Sequence, residues 1–119
     1  MLEIIDIGAE NVLACRMDGK IELDDIERVK TRVAEILAHH DKVRVYVEME
    51  SFDGISFQAL WEDLKLGFHN LKSFSHKAVV SDKKWVANIA KVADKLFGSI
   101  ELKHFTPEER DDALAWIKG

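Results

Sequence analysis

The segment Val43-Arg44-Val45-Tyr46-Val47-Glu48-Met49 sets the strongest limit on how this chain can fold. Valine at alternate positions marks an extended strand, because a β-branched side chain is stiff at χ1 and packs well on a pleated surface. On both sides the apolar spacing changes to three and four residues. Ile26, Val29, Val33, Ile36 and Leu37 precede the strand, with Glu27, Arg28, Lys30, Arg32 and Glu35 between them. Phe57, Leu60, Trp61, Leu64, Phe68 and Leu71 follow it. A β-branched strand between two amphipathic helices reads as a central strand of a parallel sheet, since parallel neighbours need a crossover between them.

The rest of the chain extends this alternation. Leu2 to Asp6 and Val12 to Met17 are β-like runs separated by Gly8-Ala9-Glu10-Asn11, a spacing that predicts an antiparallel hairpin. Leu13, Cys15 and Met17 share one face of the second run, so Cys15 is expected as a small buried apolar residue. Helical periodicity runs from Leu23 to roughly His40, with Asp24 and Glu27 spaced as a capping box. Ala78-Val79-Val80 predicts a short strand. A third helix, capped by Ser81 or Asp82, carries Trp85, Val86, Ile89, Ala93, Leu96 and Phe97 and ends at Gly98. Ile100, Leu102 and His104 alternate as a last strand, and Thr106-Pro107-Glu108-Glu109 is a helix start whose helix is anchored by Leu114, Trp116 and Ile117. The order ββαβαβαβα predicts an α/β fold, with a mixed, mainly parallel five-stranded sheet and about four helices. A chain of 119 residues without low-complexity or Pro/Gly/Ser-rich stretches is expected to form a single domain over residues 1–119.

Several function classes are excluded on composition. The net charge of −5 argues against nucleic acid as the main partner. Cys15, the single cysteine, has no internal disulfide partner, which fits a reducing compartment. Met1-Leu2-Glu3-Ile4-Ile5-Asp6 lacks a basic segment followed by an apolar one, so no signal peptide is expected. Charged residues interrupt every apolar run well short of a bilayer span. A cytoplasmic protein is expected.

The whole chain resembles the SpoIIAA-like family, small bacterial stand-alone domains with the STAS fold of anti-sigma-factor antagonists. The resemblance rests on Leu2-Glu3-Ile4-Ile5, Gly19-Lys20-Ile21, Val43-Arg44-Val45-Tyr46-Val47-Glu48, Phe52-Asp53-Gly54-Ile55, Trp61-Glu62-Asp63 and Phe105-Thr106, taken in that order. It implies a regulatory protein acting through protein–protein contact, with a phosphoacceptor serine in the turn before the second helix. This sequence has Phe52-Asp53-Gly54-Ile55-Ser56 there, without the Ser-Ser pair of the wider fold, so Ser51 and Ser56 are the candidate phosphoacceptors. At the level of fold the resemblance extends to Sec14 (CRAL-TRIO) lipid-binding domains, which implies a lipophilic ligand. Ser56 reads equally as an ordinary helix N-cap.

Charge is distributed unevenly. Between Lys65 and Lys95 there are seven lysines against Asp82 and Asp94, which leaves +5; the remainder of the chain carries ten basic residues against twenty acidic, or −10. The two helices predicted there contain Phe57, Trp61, Phe68, Phe74, Trp85 and Phe97. One reading is a ligand- or membrane-binding face within residues 55–97, built from Phe57, Trp61, Leu64, Phe68, Trp85 and Ile89 with Lys83, Lys84 and Lys91 at its rim. Its partner is then a lipophilic small molecule or an anionic membrane surface, with a peripheral position at the inner membrane face. The other reading makes these aromatics core, under a solvated lysine face. Exposed aromatics would also suit a protein partner or a homodimer.

Chemistry-bearing motifs point away from catalysis. His39, His40, His69, His76 and His104 have no zinc-ligand spacing, and there is no nucleotide-binding glycine loop or nucleophile elbow. No metal and no cofactor are expected. Glu48 and Glu50 share a strand face near its carboxyl end, where ligands gather in open α/β sheets. They read as a cation site or as a strand end reaching solvent. The expected function is a non-catalytic binding module; the alternative is an anti-sigma-factor-antagonist-like regulator switched near Ser51 or Ser56.

Overall fold

Five strands and two helices are visible in the computed structural model, which describes residues 2–18, 22–49, 74–81 and 101–119. The valine-rich segment forms β3 (Val43–Met49), flanked in sequence by β1 (Leu2–Ile4), β2 (Val12–Met17), β4 (Phe74–Val80) and β5 (Glu101–Phe105). Helix α1 (Leu23–His39) joins β2 to β3, and α2 (Arg110–Lys118) follows β5 after a 3-10 turn at Pro107–Glu109. The strands form one sheet in the order β1-β2-β3-β4-β5. β1 and β2 are antiparallel, and every other neighbouring pair is parallel. The mixed, mainly parallel five-stranded sheet expected from the sequence is present. The second and third predicted helices lie outside the described residues.

Register divides the sheet into two faces, because side chains alternate along a strand. Val12, Ala14 and Arg16 stand beside Arg44, Tyr46 and Glu48, which stand in turn beside His76, Ala78 and Val80. Helix α2 covers this face, where Ala113 and Ile117 join Val12, Ala14, Tyr46, Ala78, Val80 and Phe105 in one buried cluster. Leu114 and Trp116, expected as anchors beside Ile117, are only partly buried against it. The opposite face presents Leu13, Cys15 and Met17, then Val45, Val47 and Met49, then Lys77 and Val79. Helix α1 packs there through the buried Val29, Val33 and Ile36.

Local signals explain most boundaries. The β1–β2 connection turns at Gly8, whose φ of 78° is open to glycine at no steric cost, and the Asp6 carboxylate accepts the Gly8 N–H at 2.8 Å. Thr106 and Glu109 form the expected capping box, with Pro107 in the first helical position. That first turn is 3-10, and regular α geometry begins only at Arg110.

Two boundaries differ from expectation. The box at the start of α1 is formed by Glu22 and Asp25, not by Asp24 and Glu27. Asp25 is drawn inward, 4% exposed, where it accepts the Glu22 N–H at 2.9 Å and the Arg28 guanidinium. Burial works to raise its pKa, but these two donors outweigh burial and hold it below the usual carboxylate range. β4 begins at Phe74 rather than Ala78. Ser75, His76 and Lys77 have no strand-like pattern of their own, and pairing with β3 on one side and β5 on the other extends the strand through them.

Burial sets the scale of the packing energy. Ile36 is 1% exposed whereas Leu23 is 74% exposed. Ile36→Ala is expected to lower the unfolding free energy by about 2–5 kcal/mol, and Leu23→Ala by less than about 0.5 kcal/mol. Urea unfolding of the two variants checks this.

Candidate functional site

Beneath α2 a single carboxylate gathers three donors. Glu48 is 8% exposed. The Tyr46 hydroxyl, two residues back on the same face of β3, donates to it at 2.6 Å. Arg16, its register partner on β2, donates through Nε at 2.9 Å, and Arg110, the first residue of α2, donates through Nε to the other carboxylate face. Burial alone would raise the Glu48 pKa. The donors Tyr46, Arg110 and Arg16 outweigh burial and hold it below the usual carboxylate range. Burial, and then its donation to Glu48, pushes the Tyr46 hydroxyl up. Both guanidiniums stay part-exposed, 38% for Arg16 and 45% for Arg110, so the buried anion is joined to solvent through its partners.

The other end of α2 is held from the same strand face. Arg44 donates to the backbone carbonyls of Ile117 and of Trp116, the latter at 3.0 Å. Carbonyls in the last turn of a helix have no intrahelical donor and carry the negative end of its dipole, so a guanidinium satisfies both needs. Arg44, Tyr46 and Glu48 therefore grip α2 at both termini. The face is completed by Trp116, which meets His76 edge-on at 5.4 Å, with the Lys103 ammonium 5.7 Å from the Trp116 ring centroid and 5.3 Å from that of Phe105.

Across the sheet, Lys77 is 3% exposed and Cys15 is 3% exposed on the α1 side. Burial pushes the Cys15 thiol up to about 12. Burial pushes the Lys77 ammonium down to about 7. The thiol is thus neutral and unreactive, while Lys77 sits near the midpoint of its titration at neutral pH.

A serine–histidine contact at the ends of β4 and β5 has no catalytic geometry. Ser81 Oγ lies 2.9 Å from His104 Nε2, but the same nitrogen lies 3.1 Å from the Ser81 carbonyl oxygen. A carbonyl only accepts, so Nε2 carries the proton and cannot take one from the hydroxyl. Ser81 is fully buried and donates its N–H to Phe105 O at 3.0 Å, which makes the pair a clamp between two strands.

Of the two readings of Glu48, a cation site and a strand end reaching solvent, the second does not hold: Glu48 is buried and bonded to three donors, and Glu50 lies outside the described residues. His40 ends α1, its N–H donated to Ile36 O at 2.8 Å. Among the described residues no group of three His, Cys, Asp or Glu side chains is placed to hold a metal ion, and no helix is long and apolar enough to cross a membrane. Phe57, Trp61, Leu64, Phe68, Lys83, Lys84, Trp85, Ile89, Lys91, Ser51 and Ser56 all lie outside the described residues. Arg16, Arg44, Tyr46, Lys77 and Arg110 were not singled out from the sequence. The signal for two of them was in view, since Arg44 and Tyr46 alternate with Glu48 on the face opposite the valines.

A family model described as SpoIIAA-like matches residues 12–118. No curated protein and no solved structure matches the chain.

Two titrations test this site. Glu48 has a folded pKa below its ordinary 4.5, so its contribution is complete above that pH and is lost as pH falls through the folded value. Glu48→Gln is expected to cost about 1–2 kcal/mol at pH 7, the part-exposed arginines recovering water, and to flatten the acid limb of stability against pH. Lys77 works in the opposite range. Its folded pKa of about 7 lies below the ordinary 10.5, so the unfolded chain binds more protons and stability rises with pH. Cys15, raised from 9.0 to about 12, opposes that rise from pH 9 upward. Between pH 7 and 9 the native chain should gain about 2 kcal/mol, a gain that Lys77→Met removes, as measured by denaturant unfolding across that range.

Proposed function

Because the chain belongs to the SpoIIAA-like family, with a match that spans residues 12–118, we propose that it is a non-catalytic regulatory module that acts by binding a protein partner. The family match is the observation that carries this reading. The chemistry of the described residues supports it. Glu48 is saturated by three donors, the Cys15 thiol is neutral and buried, and His104 holds its Nε2 proton toward a backbone carbonyl. Among the described residues, Glu48 is engaged in seating α2 and the Ser81–His104 pair in tying β4 to β5.

The finer parts of the proposal rest on sequence. Residues 1–119 act as one unit in the cytoplasm. Ser51 and Ser56 are the proposed phosphoacceptors of a switch, and a phosphate on Ser56 would meet the positive end of the helix predicted there. The +5 segment between Lys65 and Lys95, with Phe57, Trp61, Leu64, Phe68, Trp85 and Ile89 nearby, favours a second reading. In it, the face within residues 55–97 takes a lipophilic ligand or rests on an anionic membrane, with Lys83, Lys84 and Lys91 at the headgroups.

Photo-crosslinking in the native host, followed by reconstitution of the captured protein with the purified chain, tests the main reading. A stoichiometric complex with micromolar or tighter affinity is expected. Failure of every captured protein to bind on reconstitution overturns it. Flotation with anionic vesicles tests the second reading, which predicts co-flotation at low salt that high salt abolishes.

A further inference from the structure

The outer side of β1 is an unfinished edge. Among the described residues β1 is the first strand of the sheet order, and no described strand pairs with its outer side. Ile5 N–H donates to Ala14 O at 2.9 Å, and antiparallel alternation therefore turns the backbone groups of Leu2 and Ile4 outward. Arg28 closes the Leu2 carbonyl at 2.8 Å. The N–H and C=O of Ile4 remain as the rungs that a further strand would use. Natural edges are guarded by short strands, charge, proline or a bulge; β1 has three residues and carries Glu3, a guard that repels an acidic chain but not a basic one.

A groove runs along that edge. Two cavities of about 450 and 550 Å³ meet at Ile4 and Arg32, one against α1 and the other against the β1–β2 connection. Ile4 is half-buried in it on the α1 face, while the half-buried Ile5 and Ile7 pack against the α2-side cluster and border it. The lining carries five carboxylates, from Glu3, Asp6, Glu10, Glu27 and Glu35, against the guanidiniums of Arg28 and Arg32; five minus two leaves −3. Both arginines are engaged already, Arg28 with buried Asp25 and Arg32 with Glu35 at 3.4 Å. An incoming chain therefore meets an acidic rim over an apolar floor beside open strand rungs.

We propose that the β1 edge and the adjoining stripe of α1 form a docking groove for a basic, extended segment of a partner protein, which adds as a sixth strand beside β1. This rests on the reading of the chain as a protein-binding module and names its surface and the chemistry of its partner. Main-chain bonds to Ile4 set the position of the strand, apolar side chains at alternate positions meet Ile4 on the α1 face, and lysines or arginines between them meet the carboxylates. A second copy of this chain is disfavoured at the same edge, because it would bring −3 against −3.

The probe is a peptide of about ten residues alternating lysine and valine, compared with one alternating glutamate and valine, each titrated against the isotopically labelled chain by two-dimensional NMR. The lysine peptide is expected to shift amides confined to residues 2–10 and 27–35, to bind at least tenfold more tightly than the glutamate peptide, and to weaken in high salt. Ile4→Pro removes an outward N–H and is expected to abolish binding. Should that variant lose its folded spectrum, the surface pair Glu3→Lys with Glu35→Lys serves in its place and is expected to weaken binding at least tenfold. Shifts centred on another surface, equal binding of the two peptides, or no saturable binding would overturn the proposal. So would a native partner, recovered by crosslinking, that leaves the amides of residues 2–10 unprotected from hydrogen exchange; that result would leave the partner-binding reading standing and remove only its placement.

Discussion

Glu48 is the point on which the α2 side of this structure depends. A carboxylate removed from water is costly unless its lone pairs are filled, and here the filling comes from three elements. Tyr46 supplies a donor from β3 itself, Arg16 from β2 and Arg110 from α2. One buried charge thus links the register of two parallel strands to the seat of the last helix. Arg44, four residues back on the same strand face, completes the arrangement by taking the carbonyls at the far end of α2. The distance from residue 44 to 48 along a strand is about 13 Å, and seven residues of helix rise about 10 Å. The two grips are therefore matched in spacing to the helix that they hold.

The same economy governs the polar groups elsewhere in the sheet. Ser81 and His104 tie β4 to β5, and Asp25 with Arg28 ties the first turn of α1 to the Leu2 carbonyl of β1. Among the described residues, no buried side-chain nitrogen or oxygen is left without a hydrogen bond. A polar interior satisfied in this way specifies one packing rather than supplying reactive groups. The function proposed for the chain rests on its family, and this allocation accords with it: recognition falls to surfaces, while the described interior keeps the sheet in register.

Those surfaces differ in kind. The β1 edge offers the backbone rungs and side chain of Ile4 among carboxylates, a combination suited to an extended cationic chain. The segment from Lys65 to Lys95 carries the opposite charge, and Ser51 and Ser56 stand just before it in sequence.

Periodicity alone determined the sheet. The valines of β3, the hairpin run of Val12–Met17 and the capped start of α2 each carry a local pattern that only one kind of element can bury, so their identity and order were legible from the residues. The family resemblance was legible for the same reason, since it lay in the order of those elements. Tertiary structure alone decided which polar residues matter. Arg16, Arg110 and the Tyr46–Glu48 pair come from three separate elements, and nothing local says that the three converge. Lys77 and His76 read as a break, yet became strand once β3 and β5 supplied hydrogen bonds on both sides. Asp25 rather than Asp24 turned inward because Arg28 and the Glu22 amide were there to receive it. A hydrophobic pattern is a property of neighbours along the chain, whereas the satisfaction of a buried charge is a property of neighbours in space.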